Sequence, residues 1–292
     1  VEGEYCKNDK VLLIEDVITT GGSVCDAANS LEEHGLNVFQ IITIISRNKN
    51  ENIFYKNLVI DYLYHIDDIC KTKNKQLKQI INEKKTNICL AADVNNTDEL
   101  FKIINEVGSD ICILKIHTDI ISDFFTNYKE NCNKLHTLKN LYNFKVWEDR
   151  KLADIGNIMI RQTKTISEWA DIVSIHPISG SKSLEYIDGI DIILIVEMSS
   201  DGHLMNSQYQ KEVIEIAENN KNVIGVVSQH KVSDKLLHIV PGISLNNMND
   251  NLGQTYNKPE NRKFADIFVI GRGIYLSDSP RIEIQKYKNI TY

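Results

Sequence analysis

The sequence lacks the features that mark membrane, exported or nucleic-acid-binding proteins. No apolar run approaches the roughly 18 residues that a membrane-spanning helix needs. The net charge is −7, so there is no excess of positive charge to attract nucleic acid or an acidic membrane surface. The six cysteines form no Cys-x-x-Cys pair and have no regular spacing, which favours free thiols in a reducing compartment. We therefore expect a cytoplasmic protein that binds neither nucleic acid nor a membrane.

The start of the chain also lacks the usual features. The first residue is valine rather than methionine, and no charged segment followed by an apolar one suggests an export signal. Residues 1–4 lead almost at once into a strand-like stretch. We expect the sequence to be a piece of a longer protein. Its 292 residues allow one large domain, or one domain together with part of another.

A strand, a loop and a helix are predicted near the start. Residues 10–14 are predicted to form a buried strand, the acidic pair Glu15 and Asp16 follows, and a helix is predicted over residues 24–33. The loop before the helix consists of small residues, namely Thr19, Thr20, Gly21, Gly22 and Ser23. Backbone amides in such a loop and at a helix start would suit a phosphate, and the acidic pair would suit vicinal hydroxyl groups.

A boundary between two domains is predicted in the middle of the chain. Residues 67–86 are polar and rich in Lys and Asn, with apolar residues at helical spacing, which indicates a linker helix. The segment before it, residues 1–66, would form one α/β unit. The segment after it, residues 87–292, would form the second domain.

Strand-like and helix-like stretches alternate in the second domain, which is typical of a parallel α/β fold. The strand-like stretches are residues 87–94, 111–117, 145–148, 171–175, 191–198, 222–228, 236–240 and 267–271. The helix-like stretches are residues 98–107, 122–142, 157–170, 182–187 and 209–219. About eight such units over roughly 200 residues predict a TIM (β/α)8 barrel.

Ionisable residues are densest just after the third predicted strand. Asp149 and Lys151 are two residues apart and share a face on an extended backbone, and Asp154 comes within reach if a helix follows. Lys115, on the neighbouring strand, would lie beside Lys151. Because neighbouring negative charge favours the charged form of a lysine, these residues predict a ring of alternating charge that donates a proton and holds an anion. The alternative is a solvated ion-pair cluster, with Lys115 as a structural partner.

Further candidate residues follow other strands at the same end of the barrel, where the chemistry of this fold is found. They are Asp93 after the first strand, His117 on the second, Ser199 after the fifth, Pro241 and Gly242 after the seventh, and Gly271 and Arg272 after the eighth. Gln254 and Tyr256 lie in the long loop after the seventh strand, where such barrels often hold phosphate. Each of these assignments has an alternative. Residues 199–200 could be ordinary loop serines, and residues 271–273 could be a turn whose arginine is solvated. The other histidines show no metal-ligand spacing.

Together these motifs resemble orotidine 5′-monophosphate decarboxylase, preceded by a segment similar to type I phosphoribosyltransferases. This order resembles that of bifunctional uridine monophosphate synthases. The motifs are residues 14–23, 92–94, 114–117, 148–157, 197–200, 250–254 and 271–273. The run Asp149-Arg-Lys151-x-Ala-Asp154-Ile-Gly-Asn157 is close to diagnostic of the decarboxylase family.

The resemblance implies roles for the candidate residues. Lys151 would protonate the ring carbon that carbon dioxide leaves, Asp149 would lie beside the substrate carboxylate, and Asp154 would enter from the partner of a homodimer with shared active sites. Lys115, Asp93 and His117 would surround the ribose, Ser199 would contact the base, and Gln254, Tyr256 and Arg272, with the Gly271 amide, would hold phosphate. Orotidine 5′-monophosphate would become uridine 5′-monophosphate, with no cofactor or metal, and residues 246–257 would form a lid.

Two positions depart from the family pattern. Ala91 stands where serine is common, and Ile158 where threonine is common. Losing both hydroxyl groups should weaken nucleotide binding, since a hydrogen bond contributes about 1 kcal/mol. The alternative to an active decarboxylase is therefore a decayed copy that binds nucleotide, or pairs with a full-length synthase, without turnover. An unrelated phosphate-binding barrel is a third possibility if the charged residues do not converge. We expect no transferase activity, because the family's substrate-binding hood and flexible loop should precede residue 10.

Overall fold

A computed structural model describes residues 4–47, 53–65, 72–245 and 256–292 of the chain. The chain divides into two compact units, Val1–Thr72 and Lys73–Tyr292. Within the described ranges, no helix is long and apolar enough to cross a membrane.

The first unit is a small α/β layer. Its sheet has the order β1-β2-β4-β3, with β1 at Lys10–Ile18, β2 at Asn37–Ser46, β3 at Phe54–Tyr55 and β4 at Leu58–His65. Strands β1, β2 and β4 are parallel, and β3 pairs antiparallel with β4. Helix α1, Gly22–Glu33, packs Val24 and Ala28 against the sheet.

The prediction of a buried first strand is wrong, because β1 alternates between a packed and an exposed face. Leu13 packs towards α1, whereas the neighbouring Ile14 is 64% exposed. Successive side chains of a strand point to opposite faces, so one helix layer covers only half of them. The strand also continues to Ile18 and therefore includes Glu15 and Asp16. Helix α1 begins two residues earlier than predicted, after Gly21 adopts a left-handed backbone with φ of 85°.

The second unit is a closed barrel of eight parallel strands, which confirms the predicted TIM barrel. The strands follow one another in chain order, and the last one pairs with the first. They are β5 (Ile88–Ala91), β6 (Ile113–Ile116), β7 (Lys145–Leu152), β8 (Ile172–Ile175), β9 (Asp191–Ile195), β10 (Val223–Val227), β11 (Leu237–Val240) and β12 (Ile267–Ile270). Because the strands are parallel, their C-terminal ends meet at one mouth.

Helices surround the barrel and follow most of its strands. They are α2 (Thr72–Lys84), α3 (Thr97–Val107), α4 (Tyr128–Tyr142), α5 (Gly156–Ile166), α6 (Ser207–Asn219), the short α7 (Arg272–Tyr275) and α8 (Pro280–Thr291). The stretch predicted as a helix over residues 182–187 is instead a 3-10 helix, Ser181–Leu184. Helix α8 was not predicted; it begins at Pro280, a residue favoured in the first helical turn.

The barrel is filled by side chains from both sides of its wall. Branched residues such as Ile113, Ile193 and Ile239 pack inside the barrel, and Leu77 and Ile80 of α2 belong to the same cluster. The outward sides of the strands pack against the helices in a larger second cluster. Strands covered on both faces are expected to be continuously apolar, as these are. Charged residues inside the wall are therefore exceptions that need partners.

Lys84, at the end of α2, joins this helix to the ends of two others. Its ammonium donates to the carbonyl oxygens of Gly108 at 2.9 Å, Ile111 at 2.6 Å, Tyr142 at 2.6 Å and Asn143 at 3.0 Å. Carbonyl groups at the ends of helices lack partners within the helix, and a cation there satisfies them.

We expect Lys84→Met to lower the free energy of unfolding by about 2–3 kcal/mol, because it leaves partly buried carbonyl groups without a donor. Chemical denaturation measures this change. Lys102→Met, on the exposed side of α3, is the matched control and should change stability by less than about 0.5 kcal/mol. Equal effects of the two substitutions would show that the Lys84 contacts add nothing specific.

Candidate active site

One cavity of about 460 Å³ opens at the C-terminal mouth of the barrel. Most of the residues predicted for the decarboxylase site line it. They are Asp93, Lys115, His117, Asp149, Lys151, Ser199, Tyr256, Gly271 and Arg272, together with Pro241 and Gly242. Among the described residues, the charged ones predicted for the site converge there with the exception of Asp154, and the hypothesis of an unrelated barrel with scattered charges is not supported.

Asp149 is the centre of the charged cluster. One of its oxygens, Oδ2, lies 2.8 Å from Lys151 Nζ and 3.1 Å from Lys115 Nζ. Lys115 Nζ also lies 3.0 Å from His117 Nε2 and 3.7 Å from an oxygen of Asp93. The other oxygen of Asp149 accepts a hydrogen bond of 2.6 Å from the Ser174 hydroxyl. The cluster thus joins residues that follow or belong to β5, β6, β7 and β8.

The backbone of β7 allows the Lys151 side chain to reach the carboxylate of Asp149, which lies on the same strand. The strand was predicted to end at Glu148, but it continues to Leu152, and its register with β8 is irregular between these two residues. Lys151 has a left-handed backbone, with φ of 50°, and its N–H donates to the Ser174 hydroxyl at 3.0 Å. An irregularity of this kind re-aims a side chain next to a site. Here it brings the Lys151 ammonium to Asp149.

The two buried members of the cluster stabilise each other's charge. Burial alone would raise the pKa of Asp149, but the ammonium groups of Lys115 and Lys151 hold that pKa well below its ordinary value. Burial opposes the charge on Lys115, yet the carboxylates of Asp149 and Asp93 raise its pKa above the ordinary value. Burial and the adjacent Lys115 lower the pKa of His117, which favours its neutral form. At neutral pH the site therefore presents fixed ammonium groups around one carboxylate.

The other end of the cavity carries an arginine. Arg272 donates a hydrogen bond to the Tyr256 hydroxyl and lies 5.5 Å from the centre of that ring. Gly271 lies beside β5, where an added Cβ would make an ordinary contact of 3.4 Å with the carbonyl oxygen of Ala91. The forked guanidinium is suited to bidentate contacts with a phosphate.

Apolar side chains form the walls between the lysines and the arginine. They include Trp147, Ile195, Met198, Val227 and Val269. Charged groups at both ends and apolar walls between them suit a small organic molecule that carries negative charge. Ser199 contributes a hydroxyl to this region and is the predicted contact to a base.

Asp154 lies outside this cluster, and Gln254 belongs to a segment that the structure does not describe. Asp154 is exposed, does not line the cavity, and accepts a hydrogen bond of 2.7 Å from the Ile155 N–H. The prediction that it completes the ring within one chain is therefore wrong, because the turn after Leu152 carries it away from Lys151. Gln254 and most of the predicted lid lie outside the described residues. At the end of that segment, Asn257 donates to Gly242 and accepts from Ser244.

Sequence reasoning missed two residues that shape the site. Ser174 bridges Asp149 and the backbone of Lys151, and Tyr275 lines the cavity beside Arg272. A signal for Ser174 was present, because it is the only polar residue within the apolar strand β8. Of the two departures from the family pattern, Ala91 lines the cavity, whereas Ile158 lines a different one on the outer side of β7.

The described residues hold no candidate metal centre beside this cavity. Across the part of the chain that the structure describes, no group of three or more His, Cys, Asp or Glu residues is arranged to hold a metal ion. Two histidines lie near Glu197. Nε2 of His203 is 3.7 Å from its Oε1, and Nδ1 of His230 is 2.9 Å from its Oε2.

Comparisons with known proteins point to one family. A uridine 5'-monophosphate synthase from Bos taurus is 28% identical over 366 aligned residues, which cover 100% of this chain and 76% of that protein. An orotidine 5'-phosphate decarboxylase from Torulaspora delbrueckii is 34% identical over 235 residues, covering 73% of this chain and 88% of that enzyme.

The solved structures agree at the level of the fold. The orotidine 5'-monophosphate decarboxylase from Methanocaldococcus jannaschii, complexed with the inhibitor BMP, superposes with a TM-score of 0.56 at 24% identity. The match covers 70% of this chain and 98% of that one. The profile of the orotidine 5'-phosphate decarboxylase / HUMPS family matches residues 86–287, which include the whole barrel. The chain therefore belongs to the orotidine 5'-phosphate decarboxylase / HUMPS family.

Proposed function

We propose that this chain decarboxylates orotidine 5′-monophosphate to uridine 5′-monophosphate in pyrimidine biosynthesis. The observation that carries the proposal is the shared Asp149 carboxylate, which holds the ammonium groups of Lys115 and Lys151 at 3.1 and 2.8 Å in the mouth of the barrel. Relatives named as decarboxylases and as bifunctional synthases support the same reaction.

The chemistry needs a proton donor and a stabilised negative charge. The bond between the pyrimidine ring and its carboxylate breaks, carbon dioxide leaves, and the electron pair remains on the ring carbon. The Lys151 ammonium gives its proton to that carbon, forming the new C–H bond. Because the ammonium is already held by Asp149, it stabilises the developing carbanion without reorganisation, which is where electrostatic catalysis is strongest.

Asp149 would contribute in two ways. It remains ionised because Lys115 and Lys151 lower its pKa, so it orients both ammonium groups. It would also lie near the substrate carboxylate, and the repulsion between two negative charges is relieved when carbon dioxide leaves. The Ser174 hydroxyl, 2.6 Å from its second oxygen, fixes the carboxylate plane.

The phosphate would bind at the arginine end. Arg272 and the Gly271 amide are the donors on this side of the cavity, beside Tyr256. Binding energy from a remote phosphate can drive the exclusion of water from the reacting end of the substrate. The apolar walls would then hold the base, with Ser199 as its hydrogen-bond partner.

A homodimer with shared sites explains the position of Asp154. In one chain this carboxylate is exposed and separate from the cavity, as expected if it enters the site of a second copy. We assign residues 87–292 to the decarboxylase barrel, residues 1–66 to a phosphoribosyltransferase-like unit and residues 67–86 to the helical segment before the barrel, of which α2 packs with the barrel rather than standing apart as a linker. No transferase activity is assigned to the first unit. The free thiols of Cys6, Cys25, Cys89, Cys112 and Cys132 support a cytoplasmic location.

Lys151→Ala is expected to reduce kcat for decarboxylation by about 100- to 10,000-fold, the range for loss of a general acid. Release of carbon dioxide from orotidine 5′-monophosphate measures it, with circular dichroism to verify folding. Lys164→Ala, on the exposed side of α5, is the matched control and should retain full activity. A folded wild type as inert as the Lys151 variant, yet still binding uridine 5′-monophosphate, would favour the decayed copy instead.

Mixing two inactive variants tests the shared site. Lys151→Ala and Asp154→Ala subunits should each be inactive as homodimers. An equal mixture should regain about a quarter of the wild-type activity, because half of the dimers would be mixed and each would contain one intact site of two. Failure to regain activity, although mass spectrometry detects the mixed dimer, would place Asp154 outside the partner's site.

Arg272→Ala is expected to raise KM for the nucleotide by about 10- to 100-fold, the equivalent of one charge-assisted hydrogen bond or slightly more. The nucleoside orotidine, which lacks the phosphate, serves as the control substrate. Its slow turnover should be the same in the variant and the wild type. If the variant loses activity equally on both substrates, Arg272 does not act through the phosphate.

A further inference from the structure

The outer side of β7 carries a second buried carboxylate. Glu148 precedes Asp149 in the chain but points to the opposite side of the barrel wall, as successive residues of a strand do. Its relative exposure is 0%. It lies at a cavity formed by β7 and α5 outside the barrel, which Phe125 and Trp169 also line.

Glu148 accepts hydrogen bonds from two N–H groups on different elements. The Trp169 indole Nε1–H donates to Oε2 at 3.1 Å, and the backbone N–H of Thr118 lies 3.2 Å from Oε1 and 3.3 Å from Oε2. Thr118 is two residues beyond the end of β6. The carboxylate therefore joins the end of β6 to β7 and to the segment that follows α5.

No cationic side chain pairs with Glu148 among the residues that the structure describes. Arg150 and Arg161 line the same cavity, and neither forms an ion pair with Glu148. The charge of Arg150 lowers the pKa of Glu148, but its guanidinium is paired with Asp119 at 2.5 Å. A buried carboxylate whose direct partners are N–H donors is unusual, because buried charges are generally paired.

The missing counter-ion has a measurable consequence. Burial raises the pKa of Glu148 to about 6, against the opposing effect of the Trp169 and Thr118 donors. This pKa lies above 4.5, the ordinary value that applies to the unfolded chain. Protonated Glu148 therefore contributes fully to the stability of the fold below pH 4.5, and this contribution is lost as the pH rises through 6. At neutral pH the fold thus holds a negative charge that lowers its stability. Charges held at such a cost are found where function requires them.

The contact with Thr118 leads directly to the active site. Thr118 follows His117, whose Nε2 lies 3.0 Å from Lys115 Nζ and 3.5 Å from Asp149 Oδ2. We infer that Glu148 is a positioning residue, which holds the end of β6 so that Lys115 and His117 stay in register with Asp149. This inference rests on the proposed decarboxylase function. Glu148 does not line the active-site cavity inside the barrel and would not contact the substrate there.

The ionised carboxylate lets both oxygens accept from the Thr118 N–H, which is nearly equidistant from them, while Oε2 also accepts from the Trp169 N–H. A glutamine side chain keeps one oxygen that can accept from Trp169 but replaces the other with an NH2 group, so that one donor would face the Thr118 N–H. Protonation likewise converts one of the two oxygens into an O–H donor. Either change should loosen the turn after His117 without creating a cavity.

Glu148→Gln tests the inference through kinetics across the pH range. At about pH 7.5 we expect kcat to fall about tenfold with KM within about twofold, a loss equivalent to one charge-assisted hydrogen bond. Wild-type kcat should rise with pH through about 6 as Glu148 ionises, and the variant should lack this rise, so the two converge at low pH. Glu168→Gln, at an exposed carboxylate that accepts from Tyr128, is the matched control and should leave the profile unchanged.

Thermal melting separates positioning from simple damage. The Glu148→Gln protein should melt no lower than wild type near neutral pH, because the unpaired buried charge is removed. A wild-type kcat and pH profile in this variant would overturn the inference. A lower melting temperature, with kcat reduced by the same factor at every pH, would also overturn it, since that pattern reports a damaged fold.

A spectroscopic readout works even without turnover. The chain has two tryptophans, so 15N-indole labelling gives two resonances, and that of Trp169 should titrate near pH 6 in the wild type and not in Glu148→Gln. If the wild type does not decarboxylate its substrate, the proposed function fails, and the imidazole resonances of His117 decide the positioning role. Their displacement by Glu148→Gln but not by Glu168→Gln supports that role, and unchanged resonances refute it.

Discussion

The structure of the site depends on one carboxylate that two ammonium groups share. Burying Asp149 or Lys115 alone would be strongly unfavourable, and each is tolerated inside the wall only because the other is present. This requirement links neighbouring strands, since Lys115 belongs to β6, Asp149 and Lys151 to β7, and Ser174 to β8. In the closed parallel barrel, strands that are consecutive in the chain are neighbours and end at the same mouth. This arrangement brings the charged side chains of successive strands within contact distance. The apolar core and the charged site are therefore parts of one arrangement.

Strand β7 performs different tasks on its two faces. Its inner face directs Trp147 and Asp149 into the barrel, where one forms the apolar wall and the other the centre of the charge cluster. Its outer face directs Glu148 towards Thr118 and Trp169. The alternation of the strand separates these groups and also keeps Lys151, two residues after Asp149, on the inner side, although the register with β8 is irregular there. A charged pair on one face is thereby supported by hydrogen bonds made on the other.

Much of this arrangement could be predicted from the sequence, and the exceptions have physical reasons. The alternating apolar runs predicted the eight strands, and the polar residues at their ends predicted most of the cavity. The exposed face of β1 could not be predicted, because an apolar run does not reveal how many layers cover it. The turn that separates Asp154 from Lys151 depends on backbone geometry that spacing alone does not encode. Ser174 and Glu148 were missed because their roles come from neighbours distant in sequence.

The left-handed backbone of Lys151 costs about 1–2 kcal/mol relative to glycine. Lys56 and Lys85 adopt the same conformation outside the site, with φ of 51° and 50°, so the backbone alone does not mark a site residue. Lys151 differs in what holds it, because its N–H donates to the Ser174 hydroxyl that also donates to Asp149. Loss of that one hydroxyl would therefore release the strained turn and the shared carboxylate together.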